Sequence, residues 1–321
     1  MKIERISIVV PCFNEEAALP LFYEELENTR KKLKQADIEY IFVDDGSKDK
    51  TLAVIKKLAK NDEKRIHYVS FSRNFGKEAA LYAGLQYATG DYVAVMDADL
   101  QDPPELLPEM LSLIRNQNYD CIGTRRVTRN GEPPVRSFFA KQFYKWMNRI
   151  SETEFIDGAR DYRLMTRRMV EAVLSVSEVN RFSKGIFSWV GFDTYYLPYK
   201  NKERVAGETS WSFWGLVNYS LDAVINFSDL PLTFASFIGI FSFFISIIFL
   251  IFIVVRALLF GDPTAGWPSL VTIFLAIGGL QLFCLGIVGK YLGKTYLETK
   301  KRPLYILKET DRTDEDKDRR L

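Results

Sequence analysis

"VMDADLQDPPE", residues 95–105, loads the end of an apolar run with acid. Val93, Ala94, Val95 and Met96 read as a buried strand, "YVAVMD" over 92–97. Asp97, Asp99 and Asp102 follow in quick succession, with Glu105 close behind. Carboxylates this close repel one another and demand a counter-charge. Three more apolar runs precede this one: "ISIVV" (6–10), "YIFVD" (40–44) and "IHYVSF" (66–71). Between them, 17–34 and 51–60 carry apolar residues at helical spacing. Strands alternating with helices predict βαβ units and an α/β fold with a mostly parallel sheet. Ligands of such sheets bind beyond the carboxyl ends of the strands. Asn14 and Glu15, Asp44 and Asp45, and Asp97 and Asp99 all fall at strand ends, which predicts one shared cleft.

A D-x-D at a strand end suits a hard divalent cation, which prefers oxygen ligands. Strand alternation would send Asp97 and Asp99 to one side, with Gln101 continuing the series. The alternative is a set of plain turn acids. In "VDDGSKDKT" (43–51), Gly46 permits a tight turn, and Ser47 and Asp49 can cap the next helix. Two adjacent acids exceed what capping needs, and one can bind a nucleobase N–H or a ribose. In "SRNFGKEAAL" (72–81), Arg73 and Lys77 are either cations for a diphosphate or salt-bridge partners for the acids.

The chain has 321 residues, a net charge of +2, three scattered cysteines and one histidine. This balance gives no reason to expect a nucleic-acid partner. Cys12, Cys121 and Cys284 form neither a disulfide framework nor a zinc spacing. His67 lacks the partners of a triad or a metal site and is expected to be structural. The start, "MKIERISIVVPCF", does not read as a signal peptide.

Mean hydropathy near zero hides two unlike parts. Residues 232–255 and 268–288 carry no charge, and each matches the ~20 residues of a bilayer span. The cations Lys290, Lys294, Lys300, Lys301 and Arg302 follow the second run. By the positive-inside rule they put this flank and the N-terminal domain in the cytoplasm. The alternative is a buried helical hairpin in a soluble protein. "VRSFFAKQFYKWMNRI" (135–150) reads as a basic amphipathic helix for a membrane surface, or else as a core-facing helix, and 211–227 has the same character. The expected organisation is a catalytic domain over 1–230, two transmembrane helices over 231–290 and a charged tail over 291–321. The end, "KETDRTDEDKDRRL", is expected to be solvated or disordered.

"VVPCFNEE", "VDDGSKDKT", "SRNFGKEAALYAGL", "DADLQDPPE" and "ARDYRLMTRR" together resemble family 2 glycosyltransferases with the GT-A fold. With two C-terminal spans, the chain is most similar to the polyprenyl-phosphate (bactoprenol) glycosyltransferases. Dolichyl-phosphate mannose synthases look like more distant relatives. The resemblance covers about residues 4–305. It implies inverting transfer of a sugar from a nucleotide sugar, glucose or N-acetylglucosamine on UDP, to undecaprenyl phosphate, with Mg²⁺ or Mn²⁺. By the same resemblance Pro11, Phe13, Glu15 and Asp45 hold the nucleoside. Asp97, Asp99 and Gln101 hold the metal and diphosphate. Arg204 closes over the donor, and Arg125 and Arg136 receive the acceptor phosphate. Asp161 stands nearest the attacking phosphate as base or orienter, and Asp157 is the second choice. Where the family has "GDFRL" this chain has "RDYRL", with Arg160 in place of glycine. Competing readings are transfer to another lipid such as diacylglycerol, and a non-catalytic nucleotide-sugar-binding scaffold. A homo-oligomer through the spans is also expected, because Gly278, Gly279, Gly286 and Gly289 offer small contact surfaces. Those glycines could equally serve packing within one hairpin.

Overall fold

A computed structural model describes residues 4–33, 36–127, 142, 145, 148–149, 156–199, 224–260 and 266–312. Four strands in succession, β1 (Glu4–Cys12), β2 (Ala36–Asp44), β3 (Ile66–Phe71) and β4 (Tyr92–Val95), match the four apolar runs. The helices α1 (Leu19–Arg30), α2 (Thr51–Asn61) and α3 (Lys77–Tyr87) join them. The chain then continues through α4 (Leu107–Gln117), β5 (Cys121–Arg126), β6 (Ala159–Thr166), α5 (Arg167–Ser175), α6 (Ser183–Trp189) and β7 (Thr194–Tyr199). It ends in α7 (Leu230–Phe260), α8 (Trp267–Thr299) and β8 (Leu307–Thr310).

The strands form one eight-stranded sheet, ordered β7-β5-β6-β4-β1-β2-β3-β8. Pairs β1–β2, β2–β3, β1–β4 and β5–β7 are parallel, while β6 and β8 run antiparallel to their neighbours. The first four strands thus lie in the order 3-2-1-4, which reverses between β1 and β4, where such sheets bind ligands.

Period-2 alternation builds a core on each face. Ile6, Ile8 and Val10 of β1 pack with Phe22 of α1, Ile55 of α2 and Met110 of α4. Val9 and Val43 face the other way, toward Ala80 and Ala83 of α3, Val170 of α5 and Phe187 of α6. Gly84 lets α3 lie close to the sheet, for a Cβ there would fall 2.1 Å from a Val9 methyl. Each fully buried aliphatic side chain of this kind contributes about 1.5–3 kcal/mol of transfer free energy.

Two expectations fail. β4 stops at Val95, and Leu100 adopts a left-handed φ of 57°. Strand alternation therefore does not reach Asp99 or Gln101. The charged tail is not all free of structure either. β8 pairs antiparallel with β3, closing an edge that would otherwise expose unpaired backbone groups. Tyr305 stacks on Phe71 at 4.8 Å, Asp311 accepts from the Tyr68 N–H at 2.7 Å, and Arg312 meets Glu39 at 2.6 Å. Tertiary partners outweigh the polar composition. His67 is structural, as expected, its Nδ1 lying 2.9 Å from Asp311.

α7 and α8 hold 31 and 33 residues, about 45–50 Å of helix, more than the ~30 Å of a bilayer core. Their apolar stretches at Leu230–Phe249 and Ala276–Thr299 are 6% and 0% buried. Phe237, Phe274 and Leu282 are among the exposed side chains. A soluble hairpin would have to be enclosed by protein, and this one is not. The two amphipathic segments fall almost wholly outside the described residues.

Candidate active site

Strand register brings the expected residues together. β1 and β4 pair Val9 with Val95, and β4 and β6 pair Val95 with Arg163. Just past these last pairs, Lys77 contacts both Asp97 and Asp161, so the two acids lie together at the ends of β4 and β6. β1 and β2 pair Cys12 with Asp44, so Phe13 and Asp45 follow side by side. Pro11, Phe13, Asp45, Asp97 and Asp161 therefore share the carboxyl edge at the switch point. Phe13 is 43% exposed.

The β1 and β2 loops are laced together. The Asn14 N–H donates to Ser47 Oγ (3.0 Å), and Asn14 Oδ1 accepts from the Lys48 N–H (2.9 Å). The Glu15 N–H donates to Thr51 Oγ1 (2.7 Å). Gly46 turns with a φ of +66°, and a Cβ there would lie 2.3 Å from the Arg73 carbonyl carbon. Asp49, one of the two expected caps, accepts from the Thr51 N–H at 3.0 Å, whereas Ser47 serves the Asn14 loop instead.

The acid pair at 44–45 is almost entirely buried. Asp44 accepts from the Ser47 N–H (3.1 Å) and Ser70 Oγ (2.8 Å). Asp45 accepts from the backbone N–H groups of Phe75 (2.6 Å) and Gly76 (2.9 Å). Burial raises the Asp45 pKa, and those two N–H groups offset part of the rise. Asp45 thus clamps the loop that leads into α3. Arg73 lies over the Phe75 ring at 4.1 Å. Burial, then Glu15, pushes the Cys12 thiol well above its ordinary value.

The chain's own cations answer the crowd of acids at 97–105. Lys77 Nζ lies 2.7 Å from Asp97 Oδ1, 2.8 Å from Asp97 Oδ2 and 2.5 Å from Asp161 Oδ2. Lys184 Nζ lies 3.9 Å from Asp161 Oδ1. Burial works against an ionised Asp161, but Lys77, then Lys184, outweigh it and hold the carboxyl well below its usual range. Burial likewise works against the Lys77 ammonium, and Asp161 and Asp97 reverse that effect and raise its pKa.

Arg160 takes the next acid. Its Nε lies 3.0 Å from Asp102 Oδ1, and its Nη2 donates to Gln101 Oε1 at 3.2 Å. Tyr199 also donates to Asp102, which is 1% exposed. Burial raises the Asp102 pKa, with Arg160 opposing. The Asp99 carboxylate accepts from the Gln101 N–H at 3.1 Å.

Asp157 contributes its backbone carbonyl to Arg125 Nε at 3.0 Å, which orients that exposed guanidinium. Arg136 and Arg204 lie outside the described residues. Sequence reading missed Lys184, Glu78 and Arg163. Glu78 accepts from the Ser183 N–H at 2.9 Å and from its hydroxyl, fixing the start of α6 beside Lys184. Arg163, buried against the Phe187 ring at 3.7 Å, donates to the carbonyls of Arg160 (3.0 Å) and Asp161 (3.3 Å). Only the β4–β6 register could have flagged Arg163, and that pairing is not visible before the fold.

Asp97 and Asp99 offer the hard oxygens a divalent ion prefers. Among the described residues no three of His, Cys, Asp or Glu converge as a metal cluster. Mg²⁺-type sites commonly use one or two carboxylates and complete the shell with substrate phosphates and water, so the donor set fits such an ion.

The family model described as "Glycosyl transferase family 2" matches residues 7–174. A prophage bactoprenol glucosyl transferase homolog of Escherichia coli (strain K12) is 40% identical over 95% of this chain and 98% of that protein. The bactoprenol glucosyl transferase of Shigella phage SfII is 41% identical over 96% of this chain and 99% of that protein. Among solved structures, the mannosyltransferase PcManGT of Pyrobaculum calidifontis, in complex with GDP-Man and Mn²⁺, is 15% identical. It covers 90% of this chain and 87% of that one, with a TM-score of 0.45.

Proposed function

The chain belongs to glycosyl transferase family 2, and on that premise we propose that it moves a glucosyl group from UDP-glucose to a polyprenyl phosphate at a membrane surface. Relatives at about 40% identity over nearly the whole chain carry the names of bactoprenol glucosyl transferases, which favours glucose over N-acetylglucosamine. One observation carries the choice of acceptor: the carboxylate nearest the reaction, Asp161, is gripped by Lys77 and approached by Lys184. So held, it is ionised but a poor proton acceptor. A lipid hydroxyl such as that of diacylglycerol needs a strong base. A phosphate monoester has a second pKa of about 6 and is already a nucleophilic dianion at neutral pH. Asp161 then orients the acceptor, and Lys184 with Arg125 and Arg136 draws its phosphate in.

On the donor side, Pro11, Phe13 and Glu15 receive the nucleoside. Asp45 acts through the loop it clamps, holding Phe75 and Gly76 beside the nucleoside. Asp97 and Asp99 would hold Mg²⁺ or Mn²⁺, with Gln101 joining them if it exchanges its Arg160 partner. The ion, when bound, supplies neutralisation of charge on the departing nucleoside diphosphate. Arg204 closes over that diphosphate. A single displacement with inversion at the anomeric carbon follows from attack opposite the leaving group.

The proposed organisation is a cytoplasmic catalytic domain over 1–230, a membrane hairpin over 231–290 and a cytoplasmic segment over 291–321. Tyr291 Oη donates to the Ser228 carbonyl at 2.7 Å, and Lys294 Nζ to Asn226 Oδ1 at 2.7 Å. Glu298 accepts from the Val179 N–H at 2.8 Å. Both ends of the hairpin thus meet at the catalytic domain. The basic flank from Lys290 to Arg302 favours the cytoplasmic side. A homo-oligomer through the spans belongs to the same proposal. Among the described residues, a Cβ at Gly278, Gly279, Gly286 or Gly289 would meet nothing within 4 Å, which supports a small-residue face open to a second copy.

The test uses purified protein in detergent with undecaprenyl phosphate, Mg²⁺ or Mn²⁺, and labelled UDP-glucose or UDP-N-acetylglucosamine. Metal-dependent label in the organic phase from UDP-glucose, lost in Asp99→Ala, supports the proposal. Label appearing only when diacylglycerol replaces the polyprenyl phosphate, or nucleotide binding without transfer to any lipid, refutes it.

A further inference from the structure

Lys77 joins two carboxylates that arrive from different strands, Asp97 beyond β4 and Asp161 in β6. Its placement is built in from both sides. Gly76, with a φ of +97°, turns the chain into α3, and Asp45 clamps the Phe75 and Gly76 N–H groups just before it. Glu78, the next residue, ties α3 to Ser183, beside Lys184. The Lys77 side chain is nonetheless 43% exposed, so its flexible stem leaves the ammonium free to shift between the two acids. Asp97 is also a carboxylate proposed to hold the divalent ion. An ammonium and a divalent cation cannot both keep close contact with one carboxylate without strong mutual repulsion.

We propose that Lys77 is the resident counter-cation of the cleft. It ties Asp97 to Asp161 before the divalent ion arrives, yields Asp97 to that ion, and stays on Asp161 to hold it toward the acceptor. Lys77 is thus a positioning residue that sets the affinity for the metal. This inference rests on the metal reading given above.

The experiment titrates Mn²⁺ into full-length protein in detergent with UDP present throughout, since substrate phosphates complete such a shell, and reads free Mn²⁺ by electron paramagnetic resonance against a blank of UDP alone. Lys77→Met should bind Mn²⁺ at least about tenfold more tightly than the parent, the low end of the effect of removing a unit charge in contact with the site. Lys77→Arg, which keeps the charge, should stay within about threefold of the parent. Asp161→Asn should shift the other way and bind several-fold more weakly, because Lys77 is left with Asp97 alone. Lys77→Met should also turn over more slowly despite its tighter metal, whereas a merely structural loss would weaken both. A Lys77→Met protein that melts like the parent and binds Mn²⁺ no more tightly overturns the proposal. So does Asp161→Asn binding equally or more tightly, a result that decides the matter even if Lys77→Met fails to fold. If the parent binds no Mn²⁺, or Asp99→Ala binds it as well as the parent, the underlying metal reading falls too. Loss in Asp99→Ala with no change in Lys77→Met sinks this inference alone.

Discussion

Replacing Arg312 with alanine should cost the protein about 3 kcal/mol, although the residue lies far along the chain from its partner. Glu39, on β2, is 3% exposed. Its carboxylate accepts from Ser7 Oγ (2.5 Å), from the Thr89 N–H and Oγ1 (2.6 Å each) and from Arg312 Nη2 (2.6 Å). Burial raises its pKa, but Arg312 foremost, then Ser7 and Thr89, lower it from 4.5 to about 2. A shift of that size, summed over all of Glu39's surroundings with Arg312 the largest favourable part, corresponds to roughly 3 kcal/mol at neutral pH. Removing one partner of a buried pair typically costs ~3–5 kcal/mol, which agrees. At about 2–4 °C per kcal/mol for a domain of this size, the midpoint should fall by roughly 6–12 °C.

The assay is thermal unfolding in detergent as a function of pH. Glu39 is depressed in the folded state, so its stabilisation is complete above the unfolded pKa and is lost as pH falls from about 4.5 toward 2. The gap between parent and Arg312→Ala should therefore be full at pH 7 and narrow below pH 4.5. The double variant Glu39→Gln with Arg312→Met, which leaves no buried charge, should recover more than half of the loss. An Arg312→Ala protein melting within 2 °C of the parent at pH 7, or a gap that widens in acid, would refute the reasoning.

Asp161→Asn should lower kcat by only about 10–100-fold with a polyprenyl phosphate, short of the upper end of general-base effects. A near-complete loss in steady-state assays would restore Asp161 as a true base. The acid limb of kcat/KM should lie near pH 6, from the second ionisation of the acceptor phosphate, because Lys77 and Lys184 keep Asp161 ionised far below that. A limb that moves in Asp161→Asn would contradict this. Gly46→Ala should destabilise the protein by about 1–3 kcal/mol and raise the KM for the nucleotide sugar, since the new Cβ collides with the Arg73 backbone at a left-handed φ. Chemical denaturation and donor titration together check it.

The sheet was legible because burial on both faces writes apolar runs, and the runs at 6–10, 40–44 and 66–71 fall inside β1, β2 and β3. The strand ends were legible because acids break the apolar runs there; the buried Glu39 inside β2 is the exception, and it carries Arg312 as a partner. Of what pairs with those acids, Lys77 was legible as one of two alternatives, and the rest was not. Lys184 and Arg163 carry no periodic signal, and their roles depend on β6 returning antiparallel beside β4. The alternation argument for Asp99 failed because it assumed a strand that had already ended at Val95. The tail was misread for a related reason. Its composition is that of a solvated segment, but β3 offered an open edge and Glu39 a buried charge, and composition holds no record of either.

The electrostatics of the cleft bear directly on what it can accept. Lys77 bridges Asp97 and Asp161, and Arg160 meets Asp102, so these three acids each have a cation of the chain beside them. A site built around a strong base would isolate one carboxyl in an apolar pocket and raise its pKa. Here Asp161, the carboxylate proposed to stand nearest the reaction, has Lys77 and Lys184 close by and is lowered instead. Such a site does little to activate a neutral hydroxyl but has positive charge ready for an anion. Discrimination between a lipid phosphate and a lipid alcohol would then come from the lysines and arginines at the rim, through the charge the acceptor brings with it. Neutralising Lys184 should therefore raise the KM for the phosphate acceptor more than it lowers kcat, while donor binding stays near that of the parent. An equal loss in donor binding would place Lys184 on the nucleotide side and remove this account of selectivity.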